Sequence, residues 1–452
     1  MKIKGEVVKL KTFKLGGVHP PENKMAAGSP IEPVALPKRV TIPLNQHIGA
    51  PANPVVKKGD MVKVGTLLAE GESFISANIH SSVSGKVFAV DSVADSSGYK
   101  VKSVIIDVEG DEWEENIDRS PDLLKEISLD SPEITSRIKD CGIVGLGGAC
   151  FPSHVKYMVP EGKKVDTLII NAVECEPYLT ADDRLMLEKT EEIIVGIEIM
   201  KKALNVERAV VGIEANKPEA IAKMEKAASV YPGTIIQPLK VMYPQGAEKQ
   251  LIKAVLNREV PSGKLPLDVG CVVNNVGTAF AVYEAVQKNK PLIERVVTVT
   301  GKKLRKTANF MVRIGTSVSM LVEAVGGVPE GTEKVVSGGP MMGKAVPTVD
   351  IPVTKGTSGI IFIDKVEARR KSTRNCIRCA KCVMVCPMGL EPYLLEKVAE
   401  KEKWEETEKL AATDCIECGS CSYTCPSSRP LLDLIRLGKA NVNRIRWERS
   451  KK

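Results

Sequence analysis

Residues 376–387 read Cys376-Ile-Arg-Cys379-Ala-Lys-Cys382-Val-Met-Val-Cys386-Pro387, and residues 415–426 repeat the pattern as Cys415-Ile-Glu-Cys418-Gly-Ser-Cys421-Ser-Tyr-Thr-Cys425-Pro426. A cubane 4Fe–4S cluster needs four thiolates at tetrahedral corners. Three close-set cysteines wrap one loop around three corners, and the fourth, too far along to close the same cube, ligates the other cluster. Cys376, Cys379, Cys382 and Cys425 are therefore expected around one cluster, and Cys386, Cys415, Cys418 and Cys421 around a second. The proline after each fourth cysteine turns the chain away. Zinc fits poorly, because four cysteines closed by Cys-Pro is not finger spacing. The reaction class is thus single-electron transfer.

The two halves are offset by 39 residues, so this region is an internal repeat. A helical stretch follows each Cys-Pro, at Glu391–Ala399 and Leu431–Leu437, and the charged segment Glu400–Lys409 links them. The expectation is a helical variant of the two-cluster ferredoxin domain over 365–435, followed by a basic tail over 436–452. From Lys365 to Lys452 there are 19 basic and 12 acidic residues, so +7 of the chain's +8 sits here. Each cubane with its thiolates carries about −2, so part of this excess compensates buried anions. The remainder suits a docking surface for an acidic redox partner or an anionic membrane. The tail Arg444–Lys452 adds to that surface as a solvated, frayed terminus.

At 43% hydrophobic and 27% charged, the composition of the 452 residues is that of a soluble multidomain protein. No apolar run is long enough to span a bilayer. Met1–Gly5 lacks the apolar stretch of a signal peptide. Of 12 cysteines, eight are taken by clusters, which points to a reducing cytosol rather than to disulfides.

Residues 1–115 read as β structure. Val55–Ala69 alternates apolar and polar residues around Gly59-Asp60, and Ile79–Val90 follows with a similar pattern. The pair resembles the lipoyl-type barrel-sandwich hybrid. The tip, Glu72-Ser73-Phe74-Ile75-Ser76-Ala77, has no lysine to modify, so the module is expected to be structural or docking, not a swinging arm. Gly16–Pro21 reads as an irregular loop with His19 as surface. Residues 120–285 read as α/β: strands at Val165–Asn171 and Arg208–Glu214, a helix over Leu185–Leu204, and another opening near Asn216 with Pro218 in its first turn. Such alternation implies a mostly parallel, Rossmann-like sheet covered on both faces. Residues 290–345 read as strand, strand and helix (Arg295–Gly301, Phe310–Gly315, Val318–Val325), a β-grasp pattern, before the glycine-rich Ser337–Gly343.

Clusters take one electron at a time, so exchange with a hydride donor needs a flavin as converter. The α/β region offers Gly145-Leu146-Gly147-Gly148-Ala149-Cys150-Phe151-Pro152, where backbone amides can approach an anion and a following helix can add its dipole. Asn171–Tyr178 follows a strand, Gln245–Glu248 opens a helix, and Val272–Thr278 precedes another. These lie at strand and helix ends, where open α/β sheets bind ligands. An Asn274-Asn275 pair offers amides to a flavin edge or ribityl chain. Cys141, Cys150, Cys175 and Cys271 read as buried thiols.

In this order the four motifs resemble the NADH-binding flavoprotein subunit of respiratory complex I. With the barrel-sandwich hybrid ahead, an SLBB-like β-grasp unit after it and the two-cluster module behind, the whole chain resembles the RnfC component of Rnf electron transport complexes. The resemblance implies FMN held by Gly145, Gly147, Gly148, Asn171, Glu174, Gly246, Asn274 and Asn275. It implies NADH stacked near Phe151 with Lys156, Glu176 and Glu248 as polar neighbours. The chain departs from the complex I pattern at Leu146, Cys150, Val173 and Ala247, where Arg, Gly, Asp and Glu are usual. The first three departures alter groups near the cofactor and put the nicotinamide geometry in question. The implied protein is a peripheral subunit on the cytoplasmic face of the membrane. Hydride passes between NAD(H) and FMN, and single electrons pass through the clusters to other subunits and indirectly to ferredoxin. Ion pumping by the complex belongs to those other subunits. Two other readings share the domain set: a soluble flavin/iron–sulfur cobalamin reductase and a cluster-bearing scaffold without chemistry.

Overall fold

The computed structural model describes residues 10–451 and the strand backbone of Lys2–Ile3 and Glu6–Val7. Met1, Lys4 and Gly5 of the N-terminal stretch and Lys452 of the basic tail lie outside the described residues.

Residues 11–33 run as a strap over the other modules. Lys11 bridges to Leu239 and Val18 to Tyr243, both in the α/β region. Strand β1 (Ile31–Pro33) joins the sheet of the third module. The barrel itself is built from β2 (Arg39–Pro43), β3 (Gly85–Ala94) and β4 (Lys100–Val108), ordered β2-β4-β3 with Met61–Val62 at the edge. A second sheet of Asn53–Pro54, Leu67–Glu70 and Ile79–His80 closes over it. Alternating residues put Ile42, Leu68, Ile79, Val87, Val104 and Ile106 in one core. The lysine-free tip is pinned: Ala77 N–H donates to His47 Nε2 (3.2 Å) and Ser76 Oγ to the Ala50 carbonyl (2.9 Å). The buried Lys355 ammonium bonds the carbonyls of Asn78 (2.9 Å) and Gly142 (2.7 Å), tying the tip's base to the α/β region. A tip held in this way does not swing.

Helix α1 (Ser131–Asp140) opens on an Asp130/Glu133 capping box. The parallel sheet consists of β5 (Thr167–Ala172), β6 (Arg208–Glu214), β7 (Thr234–Leu239) and β8 (Cys271–Asn275), ordered β7-β6-β5-β8. Its apolar strands are buried on both faces. Leu168, Ile170 and Val272 enter the core shared with α1 and the long helices, whereas Ile169, Val210 and Val273 pack with Leu251 and Ile252 on the other side. The helix expected over Leu185–Leu204 is two, α2 (Ala181–Glu188) and α3 (Thr190–Leu204), broken at Lys189 (φ −126°). Apolar positions stay in step across the break, so periodicity does not report it. The remaining crossovers are α4 (Pro218–Ala228, Pro218 at its first position), α5 (Glu248–Leu256) and α6 (Val276–Lys288).

The third module pairs β9 (Glu294–Thr300) antiparallel with β10 (Ala308–Arg313), followed by α7 (Val318–Ala324). Its six-stranded sheet also takes in β11 (Thr332–Ser337) and β12 (Gly359–Asp364), in the order Lys344–Ala345, β11, β12, β9, β10, β1. The cluster module consists of two cysteine loops on α8 (Pro392–Glu400), α9 (Trp404–Lys409) and α10 (Leu431–Ser450). The basic tail does not fray as expected. It continues α10 to Ser450, and Arg446 and Arg449 pair with Glu408 of α9 at 2.7 and 2.8 Å. The strap runs between this module and the α/β region: Gly17 N–H donates to the Val385 carbonyl (2.9 Å). At Gly16 (φ +70°) a Cβ would stand 2.6 Å from the carbonyl carbon of Cys386, so only glycine allows the approach.

Candidate redox site

The glycine loop follows α1 and lies at the C-terminal edge of the parallel sheet. Gly145 N–H donates to the Phe151 carbonyl (2.9 Å) and Leu146 N–H to Thr278 Oγ1 (3.0 Å), which fixes the loop's two ends. Gly147 and Gly148 between them are exposed. Gly148 has φ +132° with no heavy atom within 4 Å of a would-be Cβ, so its backbone is open to a ligand. The helix that follows, Ser153–Tyr157, has only five residues and adds little dipole, contrary to expectation.

The implied flavin residues converge, but several are already committed. Asn171 Nδ2 donates to the Gly246 carbonyl (2.7 Å), and its Oδ1 accepts from Val173 N–H (3.3 Å). Asn275 caps α6 by accepting from Gly277 N–H (2.8 Å), and its Nδ2 donates to Asp182 (2.7 Å) and the Asn171 carbonyl (3.3 Å). Asn275 is therefore a brace. Asn274 points to the opposite face of β8, as neighbours in a strand must. Its amide is buried beside the Tyr157 hydroxyl, and among the described residues neither its nitrogen nor its oxygen makes a well-formed hydrogen bond. A buried amide left without a well-formed bond costs about 1–3 kcal/mol. Asn274→Leu is expected to raise the stability of flavin-free protein by about 1 kcal/mol while weakening FMN binding about tenfold. Urea unfolding and FMN fluorescence titration check the two signs separately.

Lys156 donates to the Val273 carbonyl (2.6 Å) and stands 3.9 Å from Glu248 Oε1. Burial lowers its pKa and Glu248 partly offsets this. Phe151 is half-buried beside the loop. Glu174 (φ +48°) accepts from Asp182 and Asp183 N–H at the start of α2 (2.8 and 3.2 Å). Glu176, expected beside the nicotinamide, instead grips the third module: its carboxylate accepts from Met341 and Met342 N–H at 3.1 and 2.9 Å. Burial pushes its pKa up to about 7 against these bonds. Leu146 and Val173 pack inward, 8% and 0% exposed, so apolar residues suit both positions. Cys150 holds φ +51°, which accounts for glycine at that position in the related pattern. Burial raises the Cys150 thiol and pushes Cys141 and Cys271 up to about 12, so these are protonated packing groups.

Sequence reasoning missed Lys24. Its ammonium, on the strap, donates to the carbonyls of Glu174 (2.8 Å), Glu176 (2.9 Å) and Leu179 (2.6 Å) and so holds the whole loop after β5. It also missed Tyr243, whose hydroxyl donates to the Cys418 carbonyl (2.8 Å) and reaches Glu176 Oε1 (3.5 Å).

None of the 12 cysteines is in a disulfide. Cys386, Cys415, Cys418 and Cys421, the four assigned together across the repeat, line one hollow. Among the described residues no three His, Cys, Asp or Glu side chains converge on a single-ion position. Backbone N–H groups of Leu390 and Glu417 donate to Cys386 and Cys415 Sγ, both at 3.4 Å. Burial raises the thiols of Cys415 and Cys421 to about 11 and 12, so cluster loading releases protons. Cys382 lies in the same small core as Cys425, across the repeat.

Four family models match in chain order: "RnfC Barrel sandwich hybrid domain" over residues 11–111, "Nuo51 FMN-binding domain" over 138–284, "SLBB domain" over 296–345 and "4Fe-4S dicluster domain" over 368–429. The C component of the proton-translocating ferredoxin:NAD(+) oxidoreductase complex of Clostridium ljungdahlii is 48% identical over 447 residues, covering 98% of this chain and 96% of that one. The chain belongs to the RnfC family. The Na(+)-translocating counterpart of Acetobacterium woodii is 43% identical, with 96% and 98% covered. A crystal structure of an NAD+-reducing [NiFe]-hydrogenase shares the fold over 70% of this chain and 63% of its own, at 20% identity and TM-score 0.51. The RnfC fold is thus the expected set of barrel-sandwich, flavin-binding α/β, SLBB and two-cluster modules. Its cofactors are FMN and two 4Fe–4S clusters. The chain's own residues fit both: an open glycine turn, a half-buried cation and a buried amide for FMN, and a hollow lined by four thiols for a cluster.

Proposed function

We propose that this chain is the NAD(H)-facing subunit of a membrane-associated, ion-translocating ferredoxin:NAD oxidoreductase, seated on the cytoplasmic face. Bound FMN supplies the exchange between a hydride and two single electrons. The chain's part is to hold and orient: the Gly145–Gly148 loop and Lys156 take the phosphate side, and Asn274 offers its buried amide. Phe151 flanks the place for the nicotinamide. No side chain has to move a proton in the hydride step. Among the described residues no helix is long and apolar enough to cross a membrane, so pumping falls to other subunits. The two relatives named for different ions share this design, which agrees with that division.

One observation carries the reading. Tyr243, between the flavin loops and the cluster module, bonds the Cys418 carbonyl while reaching Glu176. Flavin loops and inner cysteine loop thereby form one continuous wall. Anaerobic NADH titration of the reconstituted chain, followed by absorbance and EPR, tests it. Flavin should bleach and cluster signals should then rise. Protein that carries iron but no flavin, or flavin that NADH leaves oxidised, overturns the reading.

A further inference from the structure

The tip of the barrel brings two bare apolar side chains to the glycine loop. In its two adjoining loops Ile48 and Phe74 stand 54% and 64% exposed. The backbone beneath them is fixed. Ala50 N–H donates to the Ile75 carbonyl (3.0 Å), and a Cβ at Gly49 (φ +116°) would collide with that same carbonyl, so the loops lie flush. The bonds from Ala77 to His47 and from Ser76 to Ala50 close the arrangement. An aromatic ring carried on a preset turn loses little entropy when a flat group stacks on it.

These loops meet the α/β region beside Phe151. Ile48 N–H donates to the Cys150 carbonyl (3.4 Å), and the Phe74 backbone lies against the His154 ring, so the two contacts flank Phe151 in sequence. Cys150 ends the exposed run Gly147–Ala149. The other end of that run faces the sheet, where a Cβ at Gly147 would stand 3.1 Å from Asn275 Cβ. The glycine loop thus runs from the flavin residues at the sheet to the barrel's tip. Hydride exchange with a flavin fixes only the nicotinamide ring of the dinucleotide. The adenosine half, joined through a pyrophosphate, has to leave that pocket and find a surface of its own. Its base is a flat apolar group that binds by stacking on an aromatic side chain.

We propose that the barrel's tip is the adenine subsite of the dinucleotide, with Phe74 and Ile48 holding the base while the α/β region holds the nicotinamide end. The inference rests on the functional reading above for that nicotinamide end. Phe74 and Ile48 touch no reacting atom. They are binding residues, and their contribution is affinity for the whole dinucleotide rather than speed of the hydride step. The lysine-free tip then has a use that needs no swing, since a fixed platform is what stacking requires.

The test uses the full chain reconstituted with FMN and iron–sulfur clusters. Calorimetric titration with ADP-ribose reads the adenosine half without any hydride transfer. Combined I48S and F74A should weaken ADP-ribose binding about tenfold. In flavin reduction the same variant should raise KM for NADH about tenfold at unchanged kcat. Reduced nicotinamide mononucleotide, which lacks the adenosine half, should react with it as with the unaltered chain. F74Y keeps a stacking ring and should restore NADH binding to within about twofold. F88A, which removes an exposed ring beside Arg39 elsewhere on the barrel, should change none of these values. If the double variant loses flavin, F74A and I48S measured singly decide by the same criteria. The proposal is overturned if the unaltered chain does not bind ADP-ribose, or if the flavin-replete variant binds it equally well. It is also overturned if NADH and the mononucleotide are impaired alike. ADP-ribose bound tightly by a chain whose flavin NADH leaves oxidised counts against the functional reading alone.

Discussion

Cys418→Ala is expected to cut iron from about eight to about four atoms per chain and to abolish the NADH-driven EPR signal of the remaining cluster, while NADH still bleaches the flavin. Cys418 is buried in the hollow with Cys386, Cys415 and Cys421, and its carbonyl takes the Tyr243 hydroxyl. Losing one thiolate opens the cube nearest the flavin loops. The outer site keeps all four sulfurs yet is stranded from the donor. Cys379→Ala is the informative partner. Cys379 is exposed and is assigned with Cys376, Cys382 and Cys425 to the outer site, so its removal should also halve the iron but leave an NADH-reducible cluster. Equal behaviour of the two variants would contradict the inner and outer assignment. Iron analysis with EPR of NADH-treated and dithionite-treated samples separates the outcomes.

Lys24→Met should be the most damaging single change outside the cysteines. Three carbonyls depend on one ammonium, and the loop they belong to holds Glu174 and Tyr178 at φ +48° and +71°, conformations that need outside support. Charge-assisted bonds of this kind contribute about 1.5–3 kcal/mol each, and leaving buried acceptors unpaired costs as much again, so the loop loses about 3–5 kcal/mol in all. FMN affinity should fall about 10- to 100-fold. The first urea transition should also move to lower concentration. Lys24→Arg, which keeps the charge but not the compact head, should recover part of both. FMN binding unchanged in Lys24→Met would remove the strap from the account of the flavin site.

The cluster loops were legible because thiolate geometry dictates spacing, and the parallel sheet because strands covered on both faces are continuously apolar. The Asp130-x-x-Glu133 cap was also open to a sequence reading, since both partners of that box lie within four residues. Lys24 was not. Its partners lie at 174, 176 and 179, and nothing local in Lys24-Met25-Ala26 indicates a buried ammonium. The different fates of Asn274 and Asn275 follow from strand alternation, but only once β8 is known to end at Asn275. The end of α10 was hidden because its last turns carry charge rather than apolar rhythm, and they are held by Glu408 from another helix. The commitment of Glu176 to Met341 and Met342 depends on how two modules meet, which no single segment encodes.

The strap has a bearing on biosynthesis. Gly16 and Gly17 meet Val385 and Cys386, which are made much later. A nascent polypeptide can fold its sheets as they leave the ribosome, but it cannot seal the seam between them until Val385 and Cys386 have emerged. The wall over the inner cysteines closes only after both partners of these contacts have been made.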